Sequence, residues 1–262
     1  MFMQKIRQST KKHRTVLLIV VILLAIGLVG TFAVWNSDNL DKNVGNQNTD
    51  QMTTAEQIAL YESTIAQNEP AAGEELTYDT AGTLANLYMN LRALYYTAYS
   101  EAANDDVAAG KAYYDKSVNA AEKAVEYYQF QLDNAPDTLT DYVKAGIIGN
   151  QAAALSFTDD KDGAQALYDE ALTLAPNNFE AATNYLSYVY ANEGIDAAQA
   201  YADSYMELVG DQSTFYTNMK SQIDYLVWLE ELYASLEDAQ QQSQNDNGNA
   251  DGDGTPADDS AE

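Results

Sequence analysis

The chain has 262 residues and is strongly acidic, with 40 Asp and Glu against 13 Lys and Arg. An acidic surface repels nucleic acid and anionic lipid, so we expect no nucleic-acid partner. The sequence has no Cys and its only His is His13. This excludes disulfides, thiolate metal sites and His-based catalysis or zinc binding in the remainder of the chain.

The N-terminal segment has the pattern of a membrane anchor. Residues 1–14 form a basic tip that holds five Lys and Arg residues and no acid, and residues 15–35 carry no charge. A helix of that length, at about 1.5 Å per residue, matches a hydrocarbon core about 30 Å thick. Because positive charge collects on the cytoplasmic side, we predict one transmembrane helix at 15–35 with its N-terminus in the cytoplasm.

A cleaved signal peptide is the alternative to this anchor. The stretch Thr31-Phe32-Ala33 has the small residues of a weak cleavage site. Secretory apolar segments usually span about 7–15 residues, which is shorter than this one. Both alternatives place the following domain outside the cytoplasm.

Polar low-complexity segments lie on both sides of the predicted domain. Residues 36–52 are rich in Asn, Asp and Gln and predict a flexible linker, and residues 239–262 predict a disordered acidic tail. The tail contains a spacing like that of a calcium-binding loop, at Asn247, Asn249, Asp251, Gly252 and Asp258. The first ligand position is Asn and the closing one is Asp rather than Glu, so we expect a disordered tail and no metal site.

Residues 53–238 have the apolar spacing of helices and no alternating strand pattern, which predicts an all-α domain. Thr53 and Glu56 have the spacing of a capping box, and Pro70 ends the first helix. Further helices are predicted at 80–104, 106–134, 138–157, 162–174, 178–192, 195–208 and 213–238. The last has a stripe that could form a coiled coil, but packing on neighbouring helices is favoured because the stripe is short.

An internal repeat connects these helices in pairs. The residues that recur have offsets of four, three and five, and the period between the last two units is 34, as from Asn150 to Asn184. Small Ala residues at helix crossings and Tyr residues between helices are the expected packing positions. They are Ala124, Tyr128, Ala164, Tyr168, Ala171, Pro176, Ala198 and Tyr205.

The stretch ALTLAPNN at 171–178, together with this spacing, resembles the tetratricopeptide repeat family. The resemblance implies a solenoid of helical hairpins over 53–238, with a groove that holds an extended peptide. It maps Asn86, Asn150 and Asn184 onto the asparagine that bonds the peptide backbone. The other implied groove residues are Met89, Arg92, Ala153, Ser187 and Tyr190. A structural role between helices is the alternative for each Asn.

The predicted function is a non-enzymatic scaffold or adaptor, anchored in the cell membrane, that binds a protein partner on the outer face. Proteins of similar topology act in secretion and envelope assembly, which is an analogy of topology alone. The alternative is a cell-envelope module that binds glycans or cations through the 20 Tyr residues and the acids. An enzyme is disfavoured, since the sequence has no catalytic motif, and we expect no cofactor.

We predict that protease added outside intact cells or spheroplasts digests the acidic domain and leaves the N-terminus protected. The physical reason is the uncharged run that follows five cationic residues. Immunoblotting of tags at the two ends measures the outcome. A protected C-terminal tag contradicts the predicted orientation.

Overall fold

A computed structural model describes residues 52–103 and 106–248, with side-chain placement up to residue 235. In these residues the protein forms eight α-helices and no strand, which confirms the all-α prediction. The predicted basic tip (1–14) and transmembrane helix (15–35), residues 36–51 of the predicted linker and residues 249–262 of the predicted tail lie outside the described residues. Within the described residues, none of the helices combines the length and apolar character needed to span a bilayer.

The helices closely follow the predicted segments. They are α1 (Thr54–Asn68), α2 (Tyr78–Ala102), α3 (Val107–Asp133), α4 (Asp141–Leu155), α5 (Lys161–Leu174), α6 (Phe179–Glu193), α7 (Ile195–Val209) and α8 (Thr214–Gly248). Polar side chains begin most of them. The predicted capping box is confirmed at α1, where Thr53 Oγ1 accepts from Glu56 N at 3.3 Å and Thr53 N donates to Glu56 Oε2 at 2.7 Å. Gly194, with φ of 89°, ends α6 and precedes α7 in a conformation that favours glycine.

The C-terminal boundary differs from the prediction. The predicted tail begins at 239, whereas α8 continues to Gly248. Residues 238–247 include Ala and four Gln residues but no Gly or Pro, so nothing in this polar stretch interrupts a helix. The low hydrophobicity of the residues after 238 therefore does not predict where α8 ends.

The helices pack mainly against their neighbours in the chain. Contacts join α1 to α2, α2 to α3, α3 to α4, α4 to α5, α6 to α7 and α7 to α8, and α4 also packs directly on α6. The longest helices before α8, α2 and α3, form the most extensive contact. The helix α4 therefore lies against α3, α5 and α6 together.

The contact between α4 and α6 requires small residues. A Cβ atom added to Gly149 would lie 2.7 Å from the Cα atom of Ala181, a distance that real Cβ atoms do not adopt. Ala145 and Ala181 are fully buried in one cluster with Ile148. Glycine at 149 thus lets the backbones of α4 and α6 come close together.

The predicted packing residues lie at equivalent places in the helix pairs. Tyr128, Tyr168 and Tyr205 are buried on α3, α5 and α7, and the predicted Ala residues are fully buried. These Ala residues are Ala124, Ala164, Ala171 and Ala198. Pro176 is exposed, since it lies in the turn between α5 and α6 rather than in the core.

Replacing Ala171 with Asp is expected to lower the free energy of unfolding by about 3–5 kcal/mol, because an unpaired charge would be buried. Ala171 packs with Ala145, Ile148 and Ala175 and has no exposed surface. The matched control is Ala166→Asp on the exposed face of the same helix, with an expected loss below about 1 kcal/mol. Urea unfolding followed by circular dichroism measures both values, and equal losses contradict the prediction.

Candidate functional site

The three predicted groove asparagines lie on α2, α4 and α6 and take part in two groups of hydrogen bonds. Asn184 Nδ2 donates to Asn150 Oδ1 at 2.8 Å, and Asn150 Nδ2 donates to Glu180 Oε1 at 2.8 Å. Asn86 Oδ1 accepts from the Tyr128 hydroxyl at 2.8 Å. We call these five residues the polar row.

The position of Glu180 follows from the start of α6. Asn178 caps this helix through its Oδ1, which accepts from Ala181 N at 2.8 Å, and its Nδ2 donates to the Tyr142 carbonyl of α4 at 2.6 Å. These two bonds fix the first turn of α6 on α4. The side chain of Glu180 then crosses α4 above Gly146, where an added Cβ would lie 2.8 Å from Oε2.

Glu180 is a half-buried carboxylate with a perturbed proton affinity. Burial raises its pKa above the ordinary value, and the hydrogen bond from Asn150 acts in the opposite direction. Burial likewise raises the pKa of Tyr128, and the Glu180 charge adds to this effect. Tyr128 and Glu180 are therefore close enough to interact electrostatically, although no hydrogen bond joins them.

No cation pairs with Glu180 within the described part of the chain. The ion pairs found there are Lys111–Asp115, Lys123–Glu126 and Lys220–Asp224, each within a single helix and at an exposed position. Such pairs contribute little to stability. The carboxylate of Glu180 is therefore satisfied by an amide and not by an opposite charge.

The remaining predicted groove residues do not join the hydrogen bonds of the polar row. Met89, Ala153 and Ser187 are half-buried, and each lies three residues after one of the asparagines, on the same helix face. Tyr190 lies farther along α6, and its hydroxyl donates to Glu230 Oε1 of α8 at 3.0 Å. Burial raises the pKa of Tyr190 to about 12.

Arg92 has a different environment from the one predicted. Only 4% of its surface is exposed, and its guanidinium carbon lies 3.5 Å from the centre of the Phe157 ring. Among the described residues Nε has no hydrogen-bond partner, and burial lowers the pKa of Arg92 to about 10. The structure thus places this cation against an aromatic ring that follows α4, and not in contact with the polar row.

Sequence reasoning missed Glu180 and Phe157. Glu180 lies 30 residues from Asn150, so no periodic spacing connects the two. Phe157 follows α4 as a single exposed aromatic residue, a feature that does not indicate a partner. Both contacts depend on how neighbouring helix pairs cross.

The polar row offers amide donors, amide acceptors and one carboxylate to a ligand. The described residues contain no group of three or more His, Cys, Asp or Glu side chains that could hold a metal ion. Amide groups of this kind suit hydrogen bonding to a peptide backbone. No family model, curated protein or solved structure matches this chain.

The raised pKa of Glu180 gives a pH-dependent prediction. A carboxyl group whose pKa is higher in the folded state stabilises the fold while it is protonated. This stabilisation is complete below the unfolded pKa, about 4.3 for Glu, and is lost as the pH rises through the folded pKa. Glu180→Gln resembles the protonated form and keeps an acceptor for Asn150. We therefore expect the variant to be more stable than the wild type at neutral pH, with a difference that vanishes on acidification.

Urea unfolding as a function of pH measures this difference. The reference is Glu122→Gln, which removes the same charge from an exposed position on α3. A Glu180→Gln protein that is less stable than the wild type at neutral pH would show that the ionised carboxylate stabilises the fold.

Proposed function

We propose that this protein is a membrane-anchored scaffold whose helical domain lies outside the cytoplasm and binds an extended segment of a protein partner. The proposal assigns the polar row as the binding surface and no catalytic role to the domain. Secretion and envelope assembly are the proposed settings, by analogy of topology alone.

The observation that carries the proposal is the contact between Asn150 and Asn184. These asparagines are 34 residues apart, one period of the repeat, and their side chains meet at 2.8 Å. Equivalent amides on successive helices are spaced to hydrogen-bond along an extended backbone without reading its side chains. Asn150 and Asn86 are half-buried, so a ligand can approach them, whereas Asn184 is buried and holds the side chain of Asn150 in place.

The proposed solenoid of tetratricopeptide-like hairpins pairs α2 with α3, α4 with α5, and α6 with α7, and α8 closes the end. Two features support this arrangement: each helix packs on its chain neighbours, and α4 packs on α6. In such a stack the first helices of the pairs lie side by side and form one face. The asparagines of the polar row all come from these first helices.

The internal hydrogen bonds of the polar row affect how the site can bind a ligand. Asn150 uses its Oδ1 for Asn184 and one amide hydrogen for Glu180, and an Asn side chain has two donors and two acceptor positions. Asn150 thus keeps one donor and one acceptor position for a further hydrogen bond. The internal bonds also hold the side chains in place, which lowers the entropy lost on binding.

The charge distribution supports the proposed location and partner. The basic residues of the N-terminal tip precede the uncharged run, and all 40 acidic residues follow it. The outer domain therefore produces a negative field that attracts basic partners and repels anionic polymers. A protein partner with basic segments on the outer face fits this field.

A glycan-binding module is a second candidate, favoured by one surface feature. Trp228 of α8 is 51% exposed and stacks on Tyr225 with ring centres 5.9 Å apart. Exposed stacked aromatic rings suit the apolar faces of sugars. A pulldown with envelope glycans tests this candidate, and loss of retention in Trp228→Ala would favour it over the scaffold.

Ala153→Gln is the direct test of the scaffold proposal. Ala153 is half-buried beside Asn150, so a longer side chain fills the space above α4 without breaking a hydrogen bond of the polar row. We expect capture of extended peptides on an array to fall by about tenfold or more, the equivalent of about 1.4 kcal/mol.

The control is Ala166→Gln on the exposed face of α5, with unchanged capture expected. Thermal unfolding of both variants verifies that they remain folded. Equal capture by Ala153→Gln and the wild type refutes the polar row as the binding surface.

A further inference from the structure

Glu180 is the only charged member of the polar row, and no opposite charge among the described residues pairs with it. Its carboxylate accepts one hydrogen bond, from Asn150, and has no cationic partner within the described residues. A carboxylate that is partly removed from water without a counter-charge is unfavourable by itself. Its presence on the row suggests that the opposite charge comes from a ligand.

Glu180 is half-buried, so part of its side chain remains open to solvent. Its Oε2 packs beside Gly146 of α4, in the space that the Cβ of a larger residue would take. Its Oε1 accepts the hydrogen bond from Asn150. A cationic group that reaches the exposed part of Glu180 would therefore also lie close to the amide of Asn150.

We propose that Glu180 selects partner segments that carry Lys or Arg, whose cationic end binds its carboxylate while the asparagines hold the backbone. This inference rests on the proposed function, since it assigns the chemical class of the segment bound by the same row. Glu180 is then the specificity-determining residue, and the asparagines determine general peptide affinity.

A metal ion is a poorer fit to this site than a basic side chain. Calcium needs six to eight oxygen ligands, and the row supplies one carboxylate and a few amide oxygens. Lys and Arg need fewer partners and donate directly to carboxylate and amide oxygens. The negative field of the domain draws the same side chains toward it.

A peptide array with matched side chains tests this selectivity. Each peptide is blocked at both ends and is made in two versions, with Lys or norleucine at one position, so that the two side chains differ only in the terminal amino group. The full chain, purified in detergent, is compared with Glu180→Gln and with Glu122→Gln. The latter removes the same charge from an exposed position on α3.

We expect the wild type and Glu122→Gln to bind Lys peptides about tenfold more tightly than norleucine peptides, the size of one charge-assisted hydrogen bond. Glu180→Gln should bind the Lys and norleucine versions with equal affinity. A Lys preference that persists in Glu180→Gln, or is absent from the wild type, overturns the inference and leaves the proposed function standing. Failure of the wild type to capture any peptide overturns both.

Discussion

The close contact between α4 and α6 is the constraint on which the proposed site depends. Gly149 and Ala181 allow the two backbones to approach, and any larger residue at 149 would collide with the backbone of α6. Because of this contact, side chains one repeat apart can touch, as Asn150 and Asn184 do. The same contact brings the first turn of α6 over Gly146 and so directs Glu180 across α4. Packing of two small residues thus determines a polar arrangement on the adjoining surface.

Buried tyrosines link elements of the domain through hydrogen bonds of their hydroxyl groups, and small alanines allow the helices to pack closely. Tyr128 and Tyr205 are buried, yet each hydroxyl finds an acceptor on another element, Asn86 Oδ1 and the Asn177 carbonyl. Tyr190 makes the equivalent bond from α6 to Glu230 of α8. A tyrosine contributes a large apolar ring to the core and needs only one partner for its hydroxyl. This combination allows the buried tyrosines to extend the aliphatic core and to link neighbouring helices at the same time.

Sequence patterns predict the local features of the structure, such as helix positions and caps. They do not predict contacts between residues that meet only where two helices cross. Helix positions and the capping box at Thr53 follow from spacing and from backbone groups a few residues apart, and these predictions are confirmed. The contact of Glu180 with Asn150 joins two helices, and no sequence period contains it. The family resemblance implies that Arg92 lines the groove. Its burial against Phe157 depends on where the chain turns after α4.

Site-specific photocrosslinking tests the central claim that the polar row is where a partner binds. A diazirine side chain replaces Met89, which is half-buried three residues after Asn86, in the full chain within native membranes. The same group at Leu208, an exposed position on α7, is the reference. We predict a protein adduct from position 89 that is absent from position 208 and is lost when excess Lys peptide is added. Adducts of equal yield from both positions, or from position 208 alone, would contradict the assignment of the polar row as the binding site.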